Sequence, residues 1–457
     1  MEREVTLLEI LEARERRVAR QQELLGRYGG PLISFTMNIA GPVKDSPLIR
    51  RAFGAGCRQL KAALESAALP VRCWEEECSA VGCQLYCAVE GDPLAVKRIC
   101  AGIEDASSLG RLFDMDVLHT DGTKLDREQV GGGDRSCIVC GAPGRGCASR
   151  RIHTVAQLQE ATRRIMTDYF AAADEKSVAE LAAGALTDEV NTTPKPGLVD
   201  RANSGSHGDM DVGTFERSIA ALAPYWERCA QIGRETAGQT PEETFALLRR
   251  AGLEAEEAML RATGGVNTHK GAVFTLGTVC GAIGRLWRPE APCRDVDRIL
   301  KECAAMTAAA VEADWARLAE TPAHKLTVGQ RLYREMGLPG IRGEVAGGLP
   351  GVAGTALPAV RGALDTGRSR NDAGAIALLY LIARGTDTNM IARGGPETAR
   401  AAEEEVRELL KRDPMPPMEE IARLDRDFIR KNLSPGGCAD LLAVTYFLHD
   451  WCGKQDE

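Results

Sequence analysis

The apolar pattern of this 457-residue chain changes character once, near residue 150, and that change limits the folds open to it. Before it, short β-branched and aromatic runs alternate with stretches of helical period. After it, helical period continues almost to the C-terminus. There is no internal repeat, so two unlike modules are expected. At roughly 100–200 residues per domain, the length allows two to four domains or subdomains.

In the first part, residues 6–25 read as an amphipathic helix rich in Glu, Arg and Leu. Residues 31–39, 84–89 and 111–119 read as strands, closed by Gly, Pro and Asp turns. Residues 48–64 and 93–106 return to helical spacing. This alternation predicts a small α/β domain over residues 1–172. From residue 154 onward helices are predicted at 154–172, 175–190, 213–234, 241–262, 270–285, 295–318, 373–384, 396–411, 418–431 and 438–451, and the second domain, over 173–457, is expected to be all-α. Gly/Pro/Asn-rich loops join the helices, and the junction falls near 165–176.

Composition narrows the function classes. Hydrophobic residues make up 44% and charged ones 27%, which excludes wholesale disorder. A net charge of −8 gives no global field for nucleic acid. No apolar run reaches the ~18 residues of a membrane span, and the charged N-terminus lacks an apolar signal core. A cytoplasmic protein is expected. Nine of the fifteen cysteines precede residue 150; in that compartment they are expected to be mostly reduced thiols.

Three motifs stand out before the change. Gly110-Arg-Leu-Phe-Asp-Met-Asp-Val117 places Asp114 and Asp116 on one face of a strand. Two such carboxylates can hold Mg²⁺ against substrate phosphates, although solvated strand-end carboxylates are common. Thr36-Met-Asn-Ile-Ala-Gly-Pro-Val-Lys44 ends a strand in a turn and presents Asn38 and Lys44 to a phosphate, or is a plain turn with an exposed lysine. Cys137, Cys140, Cys147 and His153 have C-x2-C-x6-C-x5-H spacing. Four such ligands suit a structural tetrahedral Zn²⁺; a thiol-lined packing corner is the other reading.

The second part is richest at Glu189-Val-Asn-Thr-Thr-Pro-Lys-Pro-Gly-Leu-Val-Asp-Arg-Ala-Asn-Ser-Gly-Ser-His-Gly-Asp-Met-Asp211. Lys195, Asp200, Asn203, His207, Asp209 and Asp211 give it a polar density that predicts a loop binding phosphates and metal. Gly264-Gly-Val-Asn-Thr-His-Lys-Gly271 precedes an apolar helix. Asn267 or Thr268 would cap it, and backbone amides with His269 and Lys270 would form an anion site. A loop at 337–348 offers Arg342 and Glu344. Ser369-Arg-Asn-Asp-Ala-Gly374 opens a helix with Asp372, and Thr386-Asp-Thr-Asn389 ends it. Asn432-Leu-Ser-Pro-Gly-Gly-Cys-Ala-Asp440 opens the last helix as a further phosphate cradle. Asp372 and Asp440 also read as ordinary first-turn carboxylates, and Arg342 as a surface charge.

Residues 7–153 resemble the holo-acyl-carrier-protein synthase of citrate lyase, a phosphoribosyl-dephospho-CoA transferase of nucleotidyltransferase-like character. The motifs around Thr36–Lys44, Gly110–Val117 and Arg135–His153 carry that likeness. Residues 178–449 resemble the triphosphoribosyl-dephospho-CoA synthase family through Pro-Lys195-Pro-Gly-Leu-Val-Asp200, His207-Gly-Asp-Met-Asp211, Gly-Val-Asn-Thr-His269-Lys-Gly271, Gly340-Ile-Arg-Gly-Glu344 and Ser434-Pro-Gly-Gly-Cys-Ala-Asp440. Cys438 departs from the small residue expected there, such as Ser.

The two resemblances imply consecutive steps. ATP and 3′-dephospho-CoA would give 2′-(5″-triphosphoribosyl)-3′-dephospho-CoA and adenine. The phosphoribosyl-dephospho-CoA unit would then pass to a serine of the citrate lyase acyl carrier protein (the gamma subunit), with release of pyrophosphate. They imply Mg²⁺ on Asp114 and Asp116. In the second module Asp209 and Asp211 would serve as metal ligands or base, with Asp200 as the alternative base and His207 as proton donor or sugar contact. Lys195, Lys270 and Arg342 would hold phosphates, with Asn38, Lys44, Asn203, His269, Glu344, Asp372 and Asp440 as further binding residues. Two other readings compete: the same chemistry serving malonate decarboxylase, and a helical nucleotide-binding protein without catalysis.

Overall fold

Residues 3–385 and 387–453 are described by a computed structural model; Thr386, counted above with the end of a helix, lies outside them. The chain divides into two units, Met1–Ala173 with Pro289–Ala291, and Asp174–Arg288 with Pro292–Glu457.

The first unit is built on a four-stranded sheet. Its elements are α1 (Leu7–Tyr28), β1 (Leu32–Met37), α2 (Pro47–Ser66), β2 (Val71–Ser79), β3 (Gly82–Val89), α3 (Pro93–Asp105), β4 (Phe113–Leu118), α4 (Gly144–Ser149) and the beginning of α5 (Val155–Asn191). Local chemistry sets the helix starts. Thr6 and Glu9 form a capping box at α1, while Ser46 and Asp92 cap α2 and α3 ahead of a proline in the first turn. The strand order is β2-β3-β1-β4, and every pairing is antiparallel. The expected alternation of helix and strand is present. Only β2 and β3 are joined by a tight turn; α2 lies between β1 and β2, and α3 between β3 and β4. Phe35 stacks on Phe53 at 4.9 Å and meets Phe113 edge-on at 5.2 Å, which locks β1 and β4 to α2.

β2 was not expected from sequence. Its run of Glu75, Glu76 and Glu77 hides the alternation, which an edge strand with an exposed face tolerates. The two-residue turn from β2 to β3 brings Cys78 opposite Cys83, and these two are disulfide-bonded. This pair departs from the reduced thiols expected for most of the cysteines. Cys57, Cys73, Cys87 and Cys100 are free and buried.

The second unit is helical. After the remainder of α5 come α6 (Val212–Glu235), α7 (Pro241–Ala262), α8 (Lys270–Arg285), α9 (Val296–Leu318), α10 (Val328–Met336), α11 (Gly340–Ala346), α12 (Leu357–Asp365), α13 (Arg370–Ile382), α14 (Thr388–Gly394), α15 (Pro396–Arg412), α16 (Met418–Arg430) and α17 (Gly436–Gly453). α8, α13 and α17 are apolar almost all round, and they form the middle of one continuous core. α6 crosses α8 closely. A Cβ on Gly233 would lie 2.0 Å from the Gly281 carbonyl, and one on Gly284 would lie 2.0 Å from that of Ala230.

Two expectations are corrected here. The helices at 154–172 and 175–190 are one, because Ala171-Ala-Ala-Asp-Glu-Lys176 carries no breaker and favours helix. The loop at 337–348 contains α11, so Arg342 and Glu344 stand on a short helix; its glycines hid it. Among the described residues, no helix is long and apolar enough to cross a membrane.

Candidate active sites

In the first unit, register does most of the positioning. Asp114 pairs with Thr36 and Asp116 with Ser34, so both carboxylates share one face of β4. Both line a cavity of about 810 Å³, together with Asn38, Lys97, Glu104 and Lys124. That volume is in the range of small-molecule sites. Asp114 is open to the cavity, and its pKa is raised by the surrounding protein walls and then by the like charge of Asp116. Lys124 lies 2.6 Å from Asp116. Burial disfavours its ammonium, but Asp116 more than offsets this and the pKa is raised.

Behind this pair stands a buried carboxylate, Glu104. It accepts the Met115 N–H at 2.8 Å and an Arg127 N–H at 2.6 Å. Burial pushes its pKa up against the pull of Arg135 and its other donors. Arg135 donates to the carbonyls of Phe113 and Gly110, each at 2.8 Å, and so braces the start of β4. Lys97 donates to the Met115 carbonyl at 3.2 Å. The donor set at Asp114 and Asp116 suits a hard divalent cation: paired carboxylate oxygens, whose mutual repulsion such a charge relieves.

In the second unit the polar loop 191–211 is pinned by its own side chains. Asp200 is 2% exposed and accepts the N–H groups of Lys195, Ala202 and Asn203 at 2.7–3.0 Å. Asn203 donates to Asp425 at 2.8 Å, and Asp425 also accepts the Gly197 N–H at 2.9 Å. Lys195 is 1% exposed and bonds the Glu189 carboxylate at 2.5 Å and carbonyl at 2.7 Å. His207 Nε2 meets the Ser434 hydroxyl at 2.8 Å; burial lowers its pKa, and Arg393 adds to this.

The helix N-termini in this unit hold carboxylates of the chain itself. Asp440 packs so closely on the start of α8 that a Cβ on Gly271 would lie 1.8 Å from its oxygen. Burial raises its pKa well above the usual carboxylate range; Glu189 and Asp387 raise it further, while the Ala272 N–H opposes this. At α17, Asp387 accepts the Cys438 N–H at 2.8 Å. His269, 3% exposed, bonds Ser218 through Nδ1 at 2.7 Å. Its Nε2 is buried without a hydrogen-bond partner, and so is Asn191 Oδ1 in the polar loop. Such orphaned groups call for a partner that the protein does not supply.

Comparison with known proteins adds the chemistry. Residues 175–456 match the family described as ATP:dephospho-CoA triphosphoribosyl transferase, CitG. Residues 5–169 match CitX, the apo-citrate lyase phosphoribosyl-dephospho-CoA transferase. The chain belongs to both families. It is 32% identical to "Protein CitXG" of Haemophilus influenzae over 98% of this chain and 97% of that one. "Protein CitXG" of Leuconostoc mesenteroides is 31% identical over 97% of each. A "Probable 2-(5''-triphosphoribosyl)-3'-dephosphocoenzyme-A synthase" of Vibrio cholerae is 40% identical over 60% of this chain and 87% of its own length. The chain is thus a bifunctional transferase of citrate lyase prosthetic-group biosynthesis.

In the CitX unit, Asn38, Asp114 and Asp116 line one cavity. Lys44 does not join them; its ammonium donates to the Ile39 carbonyl, and burial lowers its pKa. Lys97, Glu104, Lys124 and Arg127 were missed. A signal existed for two of these: Lys97 and Glu104 fall on the apolar face of α3 with Cys100 and Ala101.

In the CitG unit, the structure turns several expected ligand contacts inward. Asp200 accepts three backbone donors and so shapes the loop. Lys195 is held inside, and the half-buried Asn203 is tied to Asp425. Glu344 bonds Arg384 at 3.0 Å and the Gly351 N–H at 2.9 Å. Arg342 keeps part of its surface open beside Asp314 at 3.3 Å. Lys270 pairs with Glu256 at 2.8 Å and remains accessible. The N-cap of α8 is His269, not the expected Asn267 or Thr268, although the Lys270 backbone N–H donates to Asn267 Oδ1 at 3.3 Å. Asp372 stands in the first turn of α13. Asp211 is the N-cap of α6 and bonds Thr214 through one oxygen. Asp209 is exposed, 3.8 Å from His207.

Proposed function

We infer that the CitG unit joins ATP and 3′-dephospho-CoA, and that the CitX unit attaches the product to the citrate lyase acyl carrier protein. The observation that carries this reading is the match of two separate compact units to the two families, residues 5–169 and 175–456. In the first step the 2′-hydroxyl of dephospho-CoA attacks C1′ of the ATP ribose. The C1′–N9 bond breaks, adenine leaves with the proton, and the triphosphate stays. Positive charge on the anomeric carbon favours nearby carboxylates. Asp209, exposed beside His207, would serve as metal ligand or base, and Asp211 keeps one carboxylate oxygen outside its capping bonds. Asp440, with its raised pKa, is a group suited to hold a proton for the leaving base. Lys270 and Arg342 supply accessible cations for the triphosphate.

In the second step a serine hydroxyl of the carrier attacks the phosphorus nearest the ribose, and pyrophosphate leaves. Asp114 and Asp116 would hold Mg²⁺ there, which when bound neutralises phosphate charge. Lys124 orients Asp116, and Lys97 and Arg135 hold β4 in place around the pair. Paired strand carboxylates beside a nucleotide-sized cavity support a nucleotidyltransferase-like mode of action.

The test incubates the full chain with ATP, dephospho-CoA, Mg²⁺ and the apo carrier protein. Adenine is followed by chromatography and the carrier by intact mass. The expected result is adenine release together with a mass gain of one phosphoribosyl-dephospho-CoA. Adenine release without a mass gain on this carrier would remove the second half of the reading.

A further inference from the structure

The segment between Gly131 and His153 holds a fixed shape with almost no core. Among its described side chains only Cys147 is buried. Ordering each residue costs on the order of 1–2 kcal/mol of backbone entropy, and burial does not offset that here. Small coreless folds persist when a cross-link or metal closes them.

A candidate closure is present. The sulfurs of Cys137, Cys140 and Cys147 and a ring nitrogen of His153 all lie within 4.8 Å of one another. Cys140 Sγ is 3.5 Å from Cys147 Sγ and 3.3 Å from His153 Nε2. Zinc bonds sulfur at about 2.3 Å and imidazole nitrogen at about 2.0–2.1 Å, so tetrahedral ligands stand roughly 3.5–3.8 Å apart. The backbone is shaped accordingly. Gly141, at a φ of 74°, turns the chain back after Cys140, the Cys137 N–H bonds the Ala142 carbonyl at 2.7 Å, and the Val139 N–H points at Cys137 Sγ at 3.4 Å. Three soft donors and one imidazole favour zinc over magnesium or calcium.

We propose that Cys137, Cys140, Cys147 and His153 form a closed, structural Zn²⁺ site that staples this segment to the wall of the CitX-unit cavity. Four protein ligands leave the metal no open position for substrate. Its effect on the reaction is positional. Cys137, Cys147 and His153 line the same cavity as Asp114 and Asp116. Arg135, two residues before the first ligand, braces the start of β4, and Arg111 donates to the Ser136 carbonyl. The metal therefore holds the strand end that carries the paired aspartates. This positional role, unlike the site itself, rests on the function inferred above.

The full chain, purified with a thiol reductant and without added metal, is measured for zinc and iron by mass spectrometry, then dialysed against EDTA. About one zinc per chain, surviving dialysis and lost in Cys140→Ser and in His153→Ala, is expected, with Cys100→Ala as a control that keeps it. Limited proteolysis should then cut both variants between residues 131 and 153 while the wild type resists. Folded wild-type chain that remains zinc-free after anaerobic incubation with Zn²⁺ would overturn the proposal, as would iron in its place or a Cys140–Cys147 disulfide. Carrier loading should fall at least tenfold in Cys140→Ser, with adenine release retained. A zinc-bearing wild type that performs neither reaction would leave the metal site standing and remove the functional reading instead.

Discussion

The Asp387 carboxylate accepts the backbone N–H of Cys438 at 2.8 Å, from 51 residues away. Its other oxygen caps α14 through the N–H groups of Asn389 and Met390 at 2.8 and 3.1 Å. One buried side chain thus satisfies the starts of two helices, where the helix dipole favours negative charge. It also fills the Gly436-Gly437 turn that the sequence presented as a phosphate cradle. Burial raises its pKa despite these donors.

Replacing Asp387 by Ala should leave three N–H groups unpaired, two of them buried, those of Met390 and Cys438. At roughly 1 kcal/mol or more for each buried group, a loss of about 2 kcal/mol is expected. Urea unfolding of the full chain reads it as a lower midpoint. Asp387→Asn, which keeps one acceptor oxygen, should lose less. Equal losses in both variants would deny the capping role.

The paired carboxylates of β4 are separable from the second unit. Asp116→Ala should lower carrier loading by at least ~100-fold, since positioned metal charge is worth several kcal/mol. Adenine release should stay within twofold of wild type. Parallel loss of both activities would argue against independent units.

Asp211 combines a cap with a proposed catalytic charge, and asparagine separates the two. Asn is as good an N-cap as Asp, so Asp211→Asn should change stability by no more than a few tenths of a kcal/mol. Adenine release should nevertheless fall at least ~100-fold. Undiminished release would reduce Asp211 to a helix cap.

His269 makes the fold acid-sensitive. Burial, followed by the Lys195 charge, lowers its pKa from 6.5 to about 3 in the folded chain. The unfolded chain therefore binds the proton more readily between those values. The contribution is fully present above about pH 6.5 and is lost as pH falls toward 3. His269→Asn keeps a hydrogen-bonding group for Ser218 without the titration. Thermal melts between pH 7 and 4.5 should show a shallower decline for the variant than for wild type. Identical slopes would mean that His269 is not held neutral.

Much was legible in the chain itself because it depends on near neighbours. The change of apolar period near residue 150 foretold two unlike units. Thr6 with Glu9, Ser46 before Pro47, and Thr240 with Glu243 mark helix starts that local hydrogen bonds produce. Asp114 and Asp116 share a face by strand geometry alone, and the motifs led to both families. The roles of the polar residues were not legible, because long-range packing decides them. Asn203 and Asp200 looked like ligand contacts until Asp425, 222 residues from Asn203, and the loop's own backbone took their hydrogen bonds. Lys195 became internal because Glu189 is buried beside it. Lys97 and Glu104 reached the cavity because α3 packs on β4. Periodicity, caps and strand alternation are properties of adjacent residues, and the sequence by itself determined them. Whether a carboxylate meets water, a substrate or a buried N–H depends on which distant segment packs against it, and only the tertiary structure decided that.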